Sequence, residues 1–83
     1  MSVRYSKTSW WLLLRARDSL KATPGRETFP PVHPFNRRRM QAMESLITQG
    51  IFTEVSRDIA GRLYYTTTLD AVLTAIQKGR PRA

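Results

Sequence analysis

The pattern of apolar and polar residues predicts three amphipathic helices, over residues 8–22, 36–49 and 68–78. In each segment the apolar residues recur every three or four positions, which places them on one face of a helix. We expect these stripes, together with one strand residue, to form the core. The residues expected to be buried are Leu13, Leu20, Met40, Met43, Leu46, Ile47, Leu63, Val72, Leu73 and Ile76.

Capping residues stand at the start of each predicted helix. Thr8 or Ser9 can cap the first helix, and Asn36 is well suited to cap the second. Thr67 and Asp70 have the spacing of a capping box at the start of the third helix. These signals support the three helix assignments independently of the apolar stripes.

After Gly50, a residue typical of helix ends, the pattern becomes that of β-strands. The runs Ile51–Ser56 and Arg62–Thr68 are rich in β-forming residues and flank a turn at Arg57–Gly61. They predict an antiparallel hairpin over residues 51–67. Three helices and one hairpin make the expected fold class α+β, mostly helical.

The segment Gly25–Pro34 holds three of the five prolines, so a regular helix is not expected there. Phe29, Val32 and Phe35 are the expected anchors of this loop to the core, with a short extended piece at Val32. His33 is the only histidine of the chain. A metal site needs several converging ligands, so we expect His33 to be a loop residue with a local hydrogen bond.

The apolar stretch SWWLLLRAR, residues 9–17, is too short for a membrane anchor. A spanning helix needs about 20 apolar residues, whereas Arg15 follows this run after five. Trp11 and Leu12 lie off the apolar stripe and are expected to pack on another element or on a second subunit. Trp10 and Trp11 are therefore the candidate contact of a homodimer.

Length and charge narrow the class of protein. The chain has 83 residues, which we interpret as one domain over residues 1–83 with a basic tail at about 79–83. Fourteen Lys and Arg against six Asp and Glu give a net charge of +8, which favours a polyanionic partner. The absence of cysteine excludes disulfides and thiolate metal sites, and it is compatible with the cytoplasmic location that we expect. The carboxylates are scattered, so we expect no enzymatic activity, no cofactor and no metal.

The segments NRRRMQAMESLITQGIFTEV and GRLYYTTTLDAVLTAI resemble the winged-helix family of helix-turn-helix proteins. In that family the recognition helix ends in a Leu-x-x-x-Gly-apolar step, which here spans residues 46–51. A strand, a wing and a second strand ending in tyrosine and threonine follow, as at Tyr65 and Thr66 or Thr67. The resemblance implies a small winged-helix domain with one β-hairpin wing. The proline-rich loop stands in place of most of that family's second helix.

The resemblance also implies a site for double-stranded DNA. The helix from Asn36 would enter the major groove and the hairpin would contact phosphates or a minor groove. The implied nucleic-acid-binding residues are Arg37, Arg38, Arg39, Gln41, Ser45, Arg57 and Arg62. Three arginines in a first helical turn oppose the helix dipole by about a few tenths of a kcal/mol each, and a bound phosphate would offset this.

The resulting prediction is a sequence-reading DNA-binding protein, a small transcriptional regulator of phage or mobile-element type. The alternative is a winged-helix protein-interaction module or inhibitor that docks on an acidic or nucleic-acid-binding surface of a larger complex. RNA binding is a third possibility on charge, although the sequence gives no aromatic stacking platform of the RRM type.

Overall fold

The structure is a computed structural model that describes residues 3–81. It contains three helices and two two-stranded sheets, about half of the chain being helical, so the predicted α+β class is confirmed. The elements in chain order are β1 (Val3–Tyr5), α1 (Lys7–Ala22), α2 (Arg37–Thr48), β2 (Thr53–Arg57), β3 (Leu63–Thr66), α3 (Leu69–Lys78) and β4 (Gly79–Pro81). Helix α1 packs against both α2 and α3, and the core lies between them.

Helix α1 begins slightly earlier than predicted. Its N-cap is Ser6, whose hydroxyl oxygen accepts a hydrogen bond from the Ser9 amide at 3.2 Å, so the prediction of Thr8 or Ser9 as N-cap was wrong. Ser9 is itself buried inside the first turn. Leu12, which the stripe left unassigned, is also buried in the core.

Helix α2 follows the prediction closely. The Asn36 side chain caps it by accepting a hydrogen bond from the Arg39 amide at 3.3 Å. Gly50, just beyond the helix end, has φ +79°, a left-handed conformation that favours glycine. One face of α2 is buried through Met40, Ala42, Met43 and Leu46, which leaves the opposite face exposed.

Strands β2 and β3 pair antiparallel, from Thr53 opposite Thr66 to Arg57 opposite Leu63. The strands are shorter than predicted, and the register shifts between Glu54 and Ser56. The expected extended piece at Val32 is present and pairs with Leu63. The two backbone hydrogen bonds between these residues have nitrogen–oxygen distances of 3.0 and 2.9 Å. The proline-rich loop is therefore held against the hairpin by backbone hydrogen bonds.

The capping box predicted for α3 was wrong by one residue. Thr68 is the N-cap, and its hydroxyl accepts a hydrogen bond from the Ala71 amide at 3.2 Å. Thr67 is buried instead, and its hydroxyl donates a hydrogen bond to the carbonyl of Ile51 at 2.7 Å. The hydroxyl of Thr67 thus ties the start of α3 to the segment before β2.

The sheet formed by β1 and β4 was not predicted. The two strands are parallel, with Val3 opposite Gly79 and Tyr5 opposite Pro81. Residues 79–81 of the predicted basic tail are therefore a strand, and residues 82–83 lie outside the described part of the chain. Tyr5 is buried in the core, which fixes β1 beside the end of α3.

Most of the predicted core residues are buried, with three exceptions. Ile47 and Ile76 are only partly buried, although both pack against the core. Leu73 is 39% exposed, because it is turned about 100° around α3 from the buried Val72. In the proline-rich loop, the prediction of Phe35 as an anchor was also wrong, since its side chain is 81% exposed. Phe29 and Val32 are the loop's buried anchors, as expected.

Candidate nucleic-acid interface

Three predicted site residues form a row on the exposed face of α2. Arg38, Gln41 and Ser45 follow one another at i, i+3 and i+7, so their side chains lie along one side of the helix. They border a groove of about 400 Å³ that is also lined by Arg4 of β1 and by Thr8 in the first turn of α1. We call this groove the first groove. It presents guanidinium, amide and hydroxyl groups together.

Arg37 is exposed on α2 but is not among the side chains that border the first groove. Arg39 points elsewhere, because two residues along a helix are separated by about 200° around its axis. The Arg39 guanidinium lies over the Trp11 ring, 4.5 Å from its centre, and the Arg15 guanidinium is 4.9 Å from the same residue's ring. The structure thus separates Arg39 from Gln41 and brings it to α1.

Two further grooves continue the first. One, of about 300 Å³, is lined by Lys7 and Arg39 and shares Thr8 and Arg38 with the first groove. The other, which we call the aromatic groove, shares Trp11, Asn36 and Arg39 with that middle groove. Among the described residues that line the three grooves, none is acidic. We call their basic side chains the basic band; they are Arg4, Lys7, Arg15, Arg38 and Arg39.

The two predicted wing residues lie outside the basic band, and each is bound to a carboxylate. The Arg57 guanidinium donates hydrogen bonds to Glu54 at 3.1 Å and to Glu44 of α2 at 3.4 Å. These contacts, first of all the one with Glu54, raise the pKa of Arg57. Arg62 pairs with Asp58 across the turn. The positive charge of the hairpin is therefore locally compensated, unlike that of the basic band.

Asp58 organises the hairpin turn. It accepts hydrogen bonds from the Arg62 amide at 2.9 Å, from the Arg62 guanidinium and from the Tyr64 hydroxyl at 3.3 Å. Burial alone raises the pKa of Asp58, but the hydrogen bonds and charge of Arg62, with the Tyr64 hydroxyl, outweigh it. The pKa of Asp58 therefore lies below its ordinary value. An ionised carboxylate therefore stabilises the turn of the hairpin.

The aromatic side chains near the band were not predicted as site residues. Phe35 is exposed, and its ring centre lies 4.9 Å from that of His33. Tyr65 packs with its ring stacked on Phe29 and on Phe52, at 5.4 and 5.3 Å. Burial raises the pKa of Tyr65, against the opposing effect of nearby arginines.

One of the two guanidinium contacts of Trp11 could be expected from the sequence. Trp11 and Arg15 are four residues apart on α1, the spacing of neighbours on a helix surface. The contact between Trp11 and Arg39 joins two helices, so no local sequence pattern predicts it.

The two tryptophans differ in environment. Trp10 is partly buried, packs against the core and lies 6.2 Å from Tyr5 between ring centres. Trp11 is 36% exposed, and the guanidinium groups of Arg15 and Arg39 lie over its ring. With Leu12 also buried, much of the apolar excess of α1 is accommodated within one chain.

Within residues 3–81, no three His, Asp or Glu side chains are grouped so that they could hold a metal ion. In the same part of the chain, no helix combines the length and the apolar character needed to cross a membrane. Comparisons of the chain with protein families, curated proteins and solved structures found no match.

Proposed function

We propose that the protein binds double-stranded DNA and reads its sequence, as a small transcriptional regulator without enzymatic activity. The observation that carries the proposal is the basic band, which runs without an acidic residue past the exposed row of α2. A helix face with guanidinium and amide groups beside a positive surface has the chemistry of a major-groove reader.

In this proposal the row and the band have different tasks. Arg38 and Gln41 contact base edges, because arginine pairs with guanine and glutamine with adenine. Arg37, Arg4 and Lys7 contact phosphates, which gives affinity without sequence preference. The wing arginines Arg57 and Arg62 contribute less than unpaired arginines would, because a phosphate must compete with the carboxylates that hold them.

A homodimer would double the number of bases read. Trp10 and Trp11 were the expected contact, but Trp10 packs within its own chain. Homodimerisation through Trp11 stays a prediction, and light scattering at high micromolar concentration tests it. A strictly monomeric mass would contradict it.

The second candidate is a protein-interaction module that docks on an acidic or nucleic-acid-binding surface. The wing favours it, because all five residues of β2 are exposed and two apolar side chains of the hairpin face solvent. Val55 is 63% exposed, and Ile59, in the turn, is fully exposed. Large exposed apolar side chains are frequent at protein–protein contacts.

Selection of duplexes from a random library, followed by fluorescence anisotropy on the selected and a scrambled duplex, separates the two candidates. We expect tighter binding to the selected duplex, and we expect Arg38→Ala or Gln41→Ala to relax that preference. Lys21→Ala is the matched control for charge, since Lys21 is exposed near the far end of α1. Equal, weak binding to every duplex, with capture of an acidic protein through the same arginines, would overturn the DNA proposal.

A further inference from the structure

The aromatic groove lies between α1 and the proline-rich loop, at the end of the basic band that is away from the first groove. Its volume is about 270 Å³. This is slightly below the range of about 300–1,000 Å³ found for pockets that hold drug-sized ligands. The groove therefore has room for one planar ring system rather than for a folded segment of a partner.

The groove carries positive charge that the protein does not neutralise. Arg15 and Arg39 both line it, and within residues 3–81 neither forms an ion pair. Both guanidinium groups lie over the ring of Trp11, so two like charges are held on the same side chain. Stacking on an indole ring fixes a guanidinium plane while leaving its N–H groups available. Such a pair is suited to a phosphate, which accepts several N–H donors at once.

An exposed aromatic ring lies at the same groove. Phe35 lines it and is 81% exposed, with His33 tilted against it at 4.9 Å. The ring is held on a rigid turn, because Pro34 precedes it, Asn36 caps α2 behind it, and the Asn36 amide donates to the His33 carbonyl at 3.1 Å. The main chain thus holds a large apolar surface ready for a partner ring without further ordering.

A planar ring beside an anionic group is the chemistry of a nucleotide. We propose that the aromatic groove binds one unpaired nucleotide of a single-stranded nucleic acid. The base stacks on Phe35 and His33, and its phosphate is held by Arg15 and Arg39. An acidic peptide would use the arginines and leave the Phe35 ring in water, so the exposed aromatic favours the nucleotide. The adjoining basic band gives the rest of the strand a path along the surface.

This proposal shares the basic band with the duplex site but uses different residues to contact bases. It depends on Phe35, Arg15 and Arg39, whereas reading of the duplex sequence depends on Arg38 and Gln41. Each can fail while the other holds.

The test is fluorescence anisotropy of the full chain with labelled oligodeoxyuridine, oligouridine and a blunt-ended duplex. We expect Phe35→Ala to weaken single-strand binding about ten-fold, the size of one lost base-stacking contact, and to leave duplex binding unchanged. Phe35→Trp should retain single-strand binding. Ile59→Ala, which removes another exposed apolar side chain, in the turn of the hairpin, should change neither.

The two single strands distinguish the source of the ligand. Equal affinity for both means that base and phosphate are recognised without the sugar, and a preference for one assigns the site to DNA or to RNA. Arg15→Ala should weaken both single strands, with thermal unfolding followed by circular dichroism confirming that each variant folds. The proposal is overturned if Phe35→Ala binds single strands as wild type does. It is also overturned if the wild-type protein does not bind single strands and instead binds an acidic or phosphotyrosine peptide through Arg15 and Arg39.

Discussion

Gly79 lies directly beneath the ring of Tyr5, in a space that has no room for another side chain. A Cβ at position 79 would be 2.8 Å from both Tyr5 Cδ2 and the carbonyl oxygen of Ala75. The backbone of Gly79 is extended, with φ −107°, so any residue could adopt it. Glycine is needed there for close packing and not for its conformational freedom.

We expect Gly79→Ala to lower the free energy of unfolding by about 1–3 kcal/mol, the usual cost of overpacking a core. Urea denaturation measures it. In a Tyr5→Leu background the same substitution should cost less, because the ring it collides with is gone. An equal cost in both backgrounds would mean that Tyr5 is not the obstacle.

Thr67 and Thr68 are adjacent, but substitutions at the two positions should lower the free energy of unfolding for different reasons. Thr67→Val removes the hydroxyl that donates to the Ile51 carbonyl, and we expect a loss of about 1–3 kcal/mol from the unsatisfied buried oxygen. Thr68→Ala removes the N-cap of α3 and should cost about 1 kcal/mol. Asp70→Asn is the control, since its side chain has no part in the observed cap. A large loss for Asp70→Asn with none for Thr68→Ala would restore the capping box predicted from sequence.

The hairpin turn should weaken in acid because of Asp58. Its pKa is lower in the folded chain than its unfolded value of about 3.9. The contribution of an ionised Asp58 to stability is therefore complete above about pH 3.9, and it is lost as the pH falls through the lower folded value. Titration of the Asp58 carboxyl carbon by NMR should give a midpoint below 3.9, and Arg62→Ala should move it upward. A midpoint unchanged by Arg62→Ala would show that Arg62 does not set this pKa.

Substitutions in the hairpin and in the first groove should differ in their effect on the salt dependence of DNA binding. If Arg38 contacts a base, Arg38→Ala relaxes sequence preference by roughly 1–3 kcal/mol at one position. If Arg57 contacts a phosphate, Arg57→Ala weakens all duplexes alike and lowers the salt slope by about one unit. Because Glu54 and Glu44 already hold Arg57, we expect its effect to be below that full unit. Anisotropy at several salt concentrations measures both, and a full unit would mean that DNA displaces the carboxylates.

The features that sequence predicted well are those with a local cause. The cap at Asn36, the left-handed Gly50 and the buried stripe of α2 each depend on residues within one or two turns. Phe35 has no such local cause, since nothing in the loop sequence distinguishes it from Phe29, which is buried and stacks on Tyr65.

The features that sequence missed depend on contacts between distant segments. The pairing of β1 with β4 joins residues more than seventy positions apart, and no turn or period marks it. The ion pair between Arg57 and Glu44 joins the hairpin to α2 and partly neutralises the positive charge of the hairpin. Composition gave the excess of positive charge correctly, but only the fold determines where that charge is left uncompensated.

The parallel pairing of β1 with β4 also has a consequence for the order in which the protein is completed during synthesis. Arg4, which borders the first groove, lies in β1 opposite Arg80 of β4. Strand β1 leaves the ribosome early, whereas β4 can emerge only after residues 79–81 have been made. A nascent chain can therefore form α1 and α2 before the strand that carries Arg4 has anything to pair with. Of the basic band, only Arg4 then waits for β4, because Lys7 and Arg15 lie on α1 and Arg38 and Arg39 lie on α2.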